Sequence, residues 1–208
     1  MNRPKGTGVL AVLSWNTNGR LSLRGCRENL LRRWVRKGFV DVALIQEHFK
    51  DDNSPLFNLF GSEWRNFSSG AVGNDCGRKS GGCAIFVQPC LCSGEGFQYP
   101  GGRVCGLYIS GGLLLNVYFP TWEHRQSTEK YKAMFNAFVL ELSNIIRKAL
   151  CYYSVSWIVC GADLNAHLAG SGILPRRSDD HAASRIRKFM KQFNLVSMAE
   201  EVCLDTFT

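Results

Sequence analysis

No apolar run in the 208-residue chain approaches the roughly 20 residues needed to cross a bilayer, so no membrane association is expected. No Cys-x-x-Cys pair occurs among the nine cysteines, and with it go the usual zinc-ribbon and dithiol spacings. An export signal is not expected either: the apolar stretch from Val9 to Trp15 is short, and Asn16, Thr17 and Asn18 follow where small cleavage-site residues would stand. The odd cysteine count and that missing signal together predict reduced thiols in an intracellular protein. Internal repeats and linker-like stretches are absent, which favours one domain at this length. Acidic charge is in deficit, with 17 Asp and Glu against 25 Lys and Arg, leaving a net charge of +8. A basic domain of this size is suited to a polyanion, nucleic acid above all. With 45% hydrophobic residues, 13 Phe and 5 Trp, the chain is too apolar for disorder.

The order of short apolar runs and helical periodicities predicts an α/β fold with mixed sheets. Val9 to Trp15 and Val40 to Gln46 read as strands. Between them lies a helix from about Arg27 to Lys37, with Leu30, Leu31, Trp34 and Val35 on its apolar face. Four further strands are expected over Trp64 to Ser68, Gly82 to Gln88, Arg103 to Ser110 and Leu113 to Tyr118, with Ser69 to Ser80 as a polar loop. The pairs Gly81-Gly82, Gly101-Gly102 and Gly111-Gly112 are read as tight turns between antiparallel strands. Ser127 opens the strongest helix, which runs to Leu150. Trp157 to Cys160 is a strand, Ala162 to Asp180 a loop, and Ala182 to Phe193 a basic helix.

Four polar clusters fall at the ends of these strands: Asn16-Thr17-Asn18-Gly19, Gln46-Glu47, Tyr118-Phe119-Pro120 and Gly161-Ala162-Asp163-Leu164-Asn165. Ligand sites in α/β folds gather where strands end, because the backbone leaving the sheet aims polar groups into one crevice. Each cluster alone is equally well a turn, a surface pair or a helix cap.

In order and spacing the clusters resemble the endonuclease/exonuclease/phosphatase superfamily, the exonuclease III and DNase I-like proteins. The resemblance runs from Ser14-Trp15-Asn16-Thr17-Asn18-Gly19 and Leu44-Ile45-Gln46-Glu47 through Ser80-Gly81-Gly82-Cys83-Ala84-Ile85-Phe86 and Leu115-Asn116-Val117-Tyr118-Phe119-Pro120. It continues through Cys160-Gly161-Ala162-Asp163-Leu164-Asn165-Ala166-His167 to Asn194-Leu195 and Thr206-Phe207. The Asp163 to His167 run, the basic helix and the Thr-Phe step resemble most the endonuclease domains of non-LTR retrotransposons. That resemblance implies a four-layered α-β-β-α sandwich of two mixed β-sheets flanked by helices. It also implies a Mg²⁺-dependent (or Mn²⁺-dependent) endonuclease acting on DNA, with a nuclear location if the retroelement ancestry holds.

Its residue roles carry over one by one. Glu47, beside Asn18, holds the metal ion. Asp163 orients and deprotonates the attacking water, Asn165 and Asn16 donate amide hydrogens to phosphate oxygens, and Tyr118 donates its phenol to the phosphate or the leaving oxygen. Asn18 stands where other branches have aspartate, so the metal would meet one fewer negative charge. For DNA contacts the expected residues are Arg176 and Arg177, in the loop after Asp163, and Trp122, placed to stack on a base. Arg27, Arg32, Arg33 and Arg36 are expected to form a solvated helix face.

The family pattern continues past Thr-Phe with Ser-x-Ile-Asp and ends in Ser-Asp-His, whereas this chain stops at Thr208. The expectation is therefore a single domain over residues 1–208 that lacks the C-terminal strands, with an active site short of its histidine and impaired in rate. Ser178-Asp179-Asp180-His181 precedes the basic helix and is read as its entry, not as the missing motif. His167 is expected to pack locally, and His48 to point away from Glu47 by strand alternation. The alternatives are a catalytically inactive remnant that still binds nucleic acid, and a phosphatase or phosphodiesterase of the same fold.

Overall fold

A computed structural model describes residues 10–19, 26–51, 60–73, 79–91, 94–99, 101–109, 111–121, 127–165 and 177–197. Two compact units divide the chain at the boundaries Pro120/Thr121, Ile146/Arg147 and Asn165/Ala166.

The first unit holds two four-stranded sheets. In one, β1 (Val12–Asn16), β2 (Val42–Gln46), β6 (Cys83–Val87) and β3 (Arg65–Ser69) lie side by side in that order. β1 runs parallel to β2, and β6 is antiparallel to both β2 and β3. In the other, β10 (Trp157–Asp163), β9 (Gly112–Tyr118), β8 (Val104–Ile109) and β7 (Gly96–Tyr99) are adjacent, with β10 parallel to β9 and the remaining pairs antiparallel. A two-stranded ribbon of β4 (Val72–Gly73) and β5 (Lys79–Ser80) stands apart.

Strand alternation decides which side chains meet. Val42 and Leu44 of β2 and Cys83, Ile85 and Val87 of β6 face Cys105, Leu107, Ile109, Leu114 and Tyr118 of the second sheet in one buried cluster. The intervening residues Ala43, Ile45, Ala84 and Phe86 face the opposite way, onto Val35, Phe60 and Trp64. Val35 belongs to α1 (Cys26–Arg36), so this helix covers the outer face of the first sheet. Trp34, expected on the apolar face of α1, is instead 38% exposed. Adjacent positions on a helix diverge by about 100°, and of these two Val35 is the one that packs on the sheet.

A polar crosslink centred on Asn116 spans the inter-sheet core. Asn116 of β9 is fully buried. It accepts a hydrogen bond from Gln46 Nε2 at 2.6 Å and donates to the carbonyls of Ile45 and Ala84 at 2.8 and 2.9 Å. Gln46, equally buried, also donates to Ser14 Oγ at 3.1 Å. Every side-chain hydrogen-bonding group buried in an apolar layer costs stability unless it is satisfied, and here Asn116 reaches two strands of the facing sheet.

The second unit contains most of α2 (Thr128–Tyr152) and all of α3 (Arg177–Gln192). Tyr131, Phe135, Val139, Leu142, Ile145 and Ile146 on α2, and Ala182, Ala183, Ile186 and Phe189 on α3, are buried at helical spacing. Ser127 Oγ accepts a hydrogen bond from Lys130 N at 3.2 Å, capping α2 as expected. His181 Nε2 lies 3.2 Å from Asn136 Oδ1 and edge-on to Phe135. Among the described residues no helix is long and apolar enough to cross a membrane.

Several boundaries differ from the sequence reading. α3 begins at Arg177 rather than Ala182, so Ser178 to His181 lie within the helix instead of leading into it. Acidic residues in general suit a helix's first turn because they complement its positive end. β10 continues through Gly161 to Asp163. β7 and the β4–β5 ribbon arise where the sequence pattern suggests only loops. Gly101-Gly102 and Gly111-Gly112 connect paired antiparallel strands, but Gly81-Gly82 does not, since β5 pairs with β4 and not with β6.

Candidate functional site

The parallel pairs β1–β2 and β9–β10 end at the same rim. In register, Asn16 pairs with Gln46 and Asp163 with Tyr118. Across the rim, Asn16 Nδ2 donates to Asp163 Oδ2 at 2.5 Å, joining residues 147 positions apart in sequence. Asp163 Oδ1 accepts from the backbone N–H of Asn165 at 3.1 Å. Both contacts use Asp163 as an acceptor. Asn165 Nδ2 donates to Phe119 O at 2.7 Å, and Phe119 N to Asp163 O at 2.9 Å, so the turn after β10 is stitched to the end of β9.

The Asn16–Gly19 turn is stitched to the end of β2 in the same way. Asn18 N donates to Asn16 Oδ1 at 2.8 Å and Gly19 N to Glu47 O at 2.7 Å. The hydroxyl of Thr17, a buried residue, reaches the carbonyls of Gln46 and Glu47 at 3.1 and 2.9 Å. Asn18, Glu47 and Asn165 all adopt left-handed backbone, with φ of 47°, 52° and 47°. Non-glycine residues rarely adopt that conformation, and glutamate lacks the local hydrogen bonding that helps asparagine do so. Such outliers concentrate at functional sites.

The structure therefore brings Asn16, Asp163, Asn165 and Tyr118 together by side chain, turn and strand register, and joins the turn that carries Asn18 to Glu47 through Thr17 and Gly19. Trp122, Arg176 and His167 lie outside the described residues. So does the side chain of Arg177, whose backbone opens α3. The strand alternation expected to orient His48 does not apply. β2 stops at Gln46, and the left-handed turn at Glu47 ends the alternation. His48 is buried; its Nδ1 accepts from Lys50 N at 3.0 Å, and its ring fills the space beside Gly82, where a Cβ would approach within 2.6 Å.

Sequence reasoning passes over Arg103. Its guanidinium sits 5.1 Å above the centre of the Tyr118 ring, its Nη1 donates to Phe119 O at 3.4 Å, and its carbonyl accepts from Tyr118 N at 2.8 Å. The available signal is a basic residue entering a strand directly after Gly101-Gly102, opposite Tyr118. Arg103 thus brings positive charge to the carboxylate-bearing rim.

Among the described residues no group of three or more His, Cys, Asp and Glu is placed to hold a metal. The hard oxygens of Glu47 and Asn18 do fit Mg²⁺ or Mn²⁺. Mg²⁺ takes one or two carboxylates and completes its shell with water and substrate oxygens.

The sequence itself matches no protein of curated function. Solved structures are matched by fold. An AP endonuclease, LMAP, from Leishmania major aligns with a TM-score of 0.65 at 15% identity, covering 88% of this chain and 66% of that one. TDP2 from Caenorhabditis elegans aligns at 0.47 and 18% identity, over 76% and 48% of the two chains. The human Nocturnin catalytic domain aligns at 0.47 and 16%, over 79% and 69%. The chain thus spans just under two thirds of the AP endonuclease and about half of TDP2. The two sheets are those of the DNase I-like sandwich fold. A family model matches residues 13–196, which include both sheets and the whole rim, and the chain belongs to the Endonuclease/Exonuclease/phosphatase family.

Proposed function

We propose that the protein is a metal-dependent phosphodiester hydrolase of endonuclease type that acts on DNA, of retrotransposon ancestry. The observation that carries this reading is the Asn16–Asp163 hydrogen bond, which closes the rim between the two sheets and presents a carboxylate and amide donors to one point. Family membership and the net charge of +8 agree with a phosphate-backbone substrate.

Glu47 and Asn18 would hold Mg²⁺ or Mn²⁺, and the bound ion would neutralise charge on the scissile phosphate. Asp163 orients the attacking water and takes its proton. Asn16 fixes the carboxylate with one amide hydrogen and retains a second for a phosphate oxygen, and Asn165 does the same from its Phe119 anchor. Tyr118, held by the Arg103 guanidinium on its face, donates its phenol to the phosphate or to the departing oxygen. Arg103 adds positive charge where negative charge builds up. Retrotransposon ancestry is supported by the Asp163 to His167 run.

Nicking of supercoiled plasmid in the presence of Mg²⁺ tests the reading. Wild-type protein should nick, chelation should stop it, and Asp163→Ala and Glu47→Ala should each lower the rate by about 100-fold or more. Equal background nicking by all three proteins would refute the assignment.

A further inference from the structure

Beside the rim, on the first unit, lies an open cavity of about 500 Å³, whose lining includes Asp51, Ser69, Val72, Gln98, Tyr99 and Gly102. That volume falls within the roughly 300–1,000 Å³ usual for small-molecule sites.

Strand register locates the cavity relative to the reacting groups. Asn16, Gln46, Cys83 and Ser69 are successive partners across the first sheet, so Ser69 lies on the same rung as Asn16 at the far side of that sheet. In the second sheet Asp163 pairs with Tyr118, Tyr118 is hydrogen-bonded to Arg103, and Val104 pairs with Tyr99. Ser69 Oγ donates to Tyr99 O at 2.8 Å and Gly82 N to Gly102 O at 2.7 Å, closing the floor between the sheets. Glycine permits that closure: a Cβ on Gly102 would meet Gly70 O at 2.3 Å. The cavity and the Asp163 centre therefore share one rim, with Arg103 and Tyr118 between them.

Its chemistry differs from that of the centre. Asp51 brings a carboxylate, tied to Lys79 by an ion pair of 2.5 Å. Gln98 is exposed, and so is Val72, an apolar residue at 49% exposure. A carboxylate repels phosphate but accepts hydrogen bonds from an exocyclic amine. A glutamine amide pairs with a base edge that offers both a donor and an acceptor. An exposed valine offers a flat ring an apolar contact.

Resting on the nuclease reading, we infer that this cavity is a nucleobase subsite, taking an unpaired base that carries an exocyclic amine (adenine, cytosine or guanine) of the DNA strand whose phosphate lies at Arg103 and Asp163. Thymine, which lacks the exocyclic amine, meets the Asp51 carboxylate with a carbonyl and is disfavoured. The subsite gives the enzyme a preference for single-stranded or distorted DNA, since a base stacked and paired in a duplex cannot enter.

Fluorescence anisotropy at fixed salt tests this with short homopolymers of deoxyadenosine, deoxycytidine and thymidine, and with an abasic oligonucleotide of equal length. Wild-type protein should bind the adenine and cytosine strands about tenfold more tightly than the other two, the value of one good base-edge contact. Gln98→Ala should remove that preference and leave abasic binding and its salt dependence unchanged, whereas Asp51→Asn, which also frees Lys79 from its ion pair, should remove the preference while tightening binding of all four strands alike. Equal binding of all four strands by wild-type protein, or a preference that survives both substitutions, would overturn the subsite while leaving the nuclease reading intact. Failure to bind any strand would overturn both.

Discussion

Asn116→Leu is the most informative perturbation of the frame. The substitution keeps approximate volume but deletes the amide that accepts from Gln46 and donates to Ile45 and Ala84. Three buried groups then lose a partner in a layer with no solvent access. An unsatisfied buried group costs about 1–3 kcal/mol. The two carbonyls retain a second lone pair, so a total of about 3 kcal/mol is expected rather than the upper sum. For a chain of this length, about 3 kcal/mol corresponds to a fall in melting temperature of roughly 6–12 °C. Thermal unfolding followed by circular dichroism measures it. The double substitution Gln46→Leu with Asn116→Leu removes both partners, so it should cost less than the sum of the two single changes, with coupling of about 1 kcal/mol or more. A single-mutant loss below about 1 kcal/mol, or strict additivity, would show that the crosslink does not hold the sheets as described.

Two further outcomes rest on titration. His181 has its imidazolium disfavoured by burial and by the positive charges of Lys132 and Arg185, which lowers its pKa below 6.5. Its contribution to stability is therefore full above pH 6.5 and lost as the pH falls through the folded-state value. Urea midpoints measured from neutral to mildly acid pH should drop less in His181→Gln than in wild type, and parallel curves would contradict this. Burial pushes the Cys160 thiol up to about 12 and also raises Cys83, whereas Cys90 and Cys151 are exposed. Iodoacetamide at mildly alkaline pH should therefore label Cys90 and Cys151 before Cys83 and Cys160 in the native protein, as read by mass spectrometry. Early labelling of Cys83 would be inconsistent with its place in the core.

The parts of the fold legible in the sequence are those where local pattern and tertiary burial demand the same residues. Val42 to Gln46 and Leu113 to Tyr118 are apolar because both faces of their strands are covered. The helical spacing of Tyr131, Phe135, Val139 and Leu142 belongs to a helix whose one side is buried. Reading fails where a residue answers to a distant neighbour. Gly161 looks like the end of a strand. It is a glycine because a Cβ there would come within 2.6 Å of Leu44 and 2.9 Å of Ser14 on the facing sheet, and the strand continues to Asp163. β7 is a short edge strand with alternately exposed residues, so no apolar run announces it. The polar clusters of the site are visible as motifs at strand ends. Arg103 belongs to no cluster, and its relation to Tyr118 exists only through the pairing of β8 with β9.

The left-handed turns at Asn18, Glu47 and Asn165 separate the hydrogen-bonded lattice from the reactive edge. Asn16, Tyr118 and Asp163 leave from the last paired rungs, and the left-handed residues follow just beyond, so the torsional cost sits outside the ladders and within a few stitched peptide units. A frame organised in this way tolerates re-tooling at its exits: new residues just beyond a strand terminus alter the chemistry on offer without disturbing the layer beneath. At these three positions a glycine would relax the backbone and, on the proposed reading, remove a side chain that the site employs.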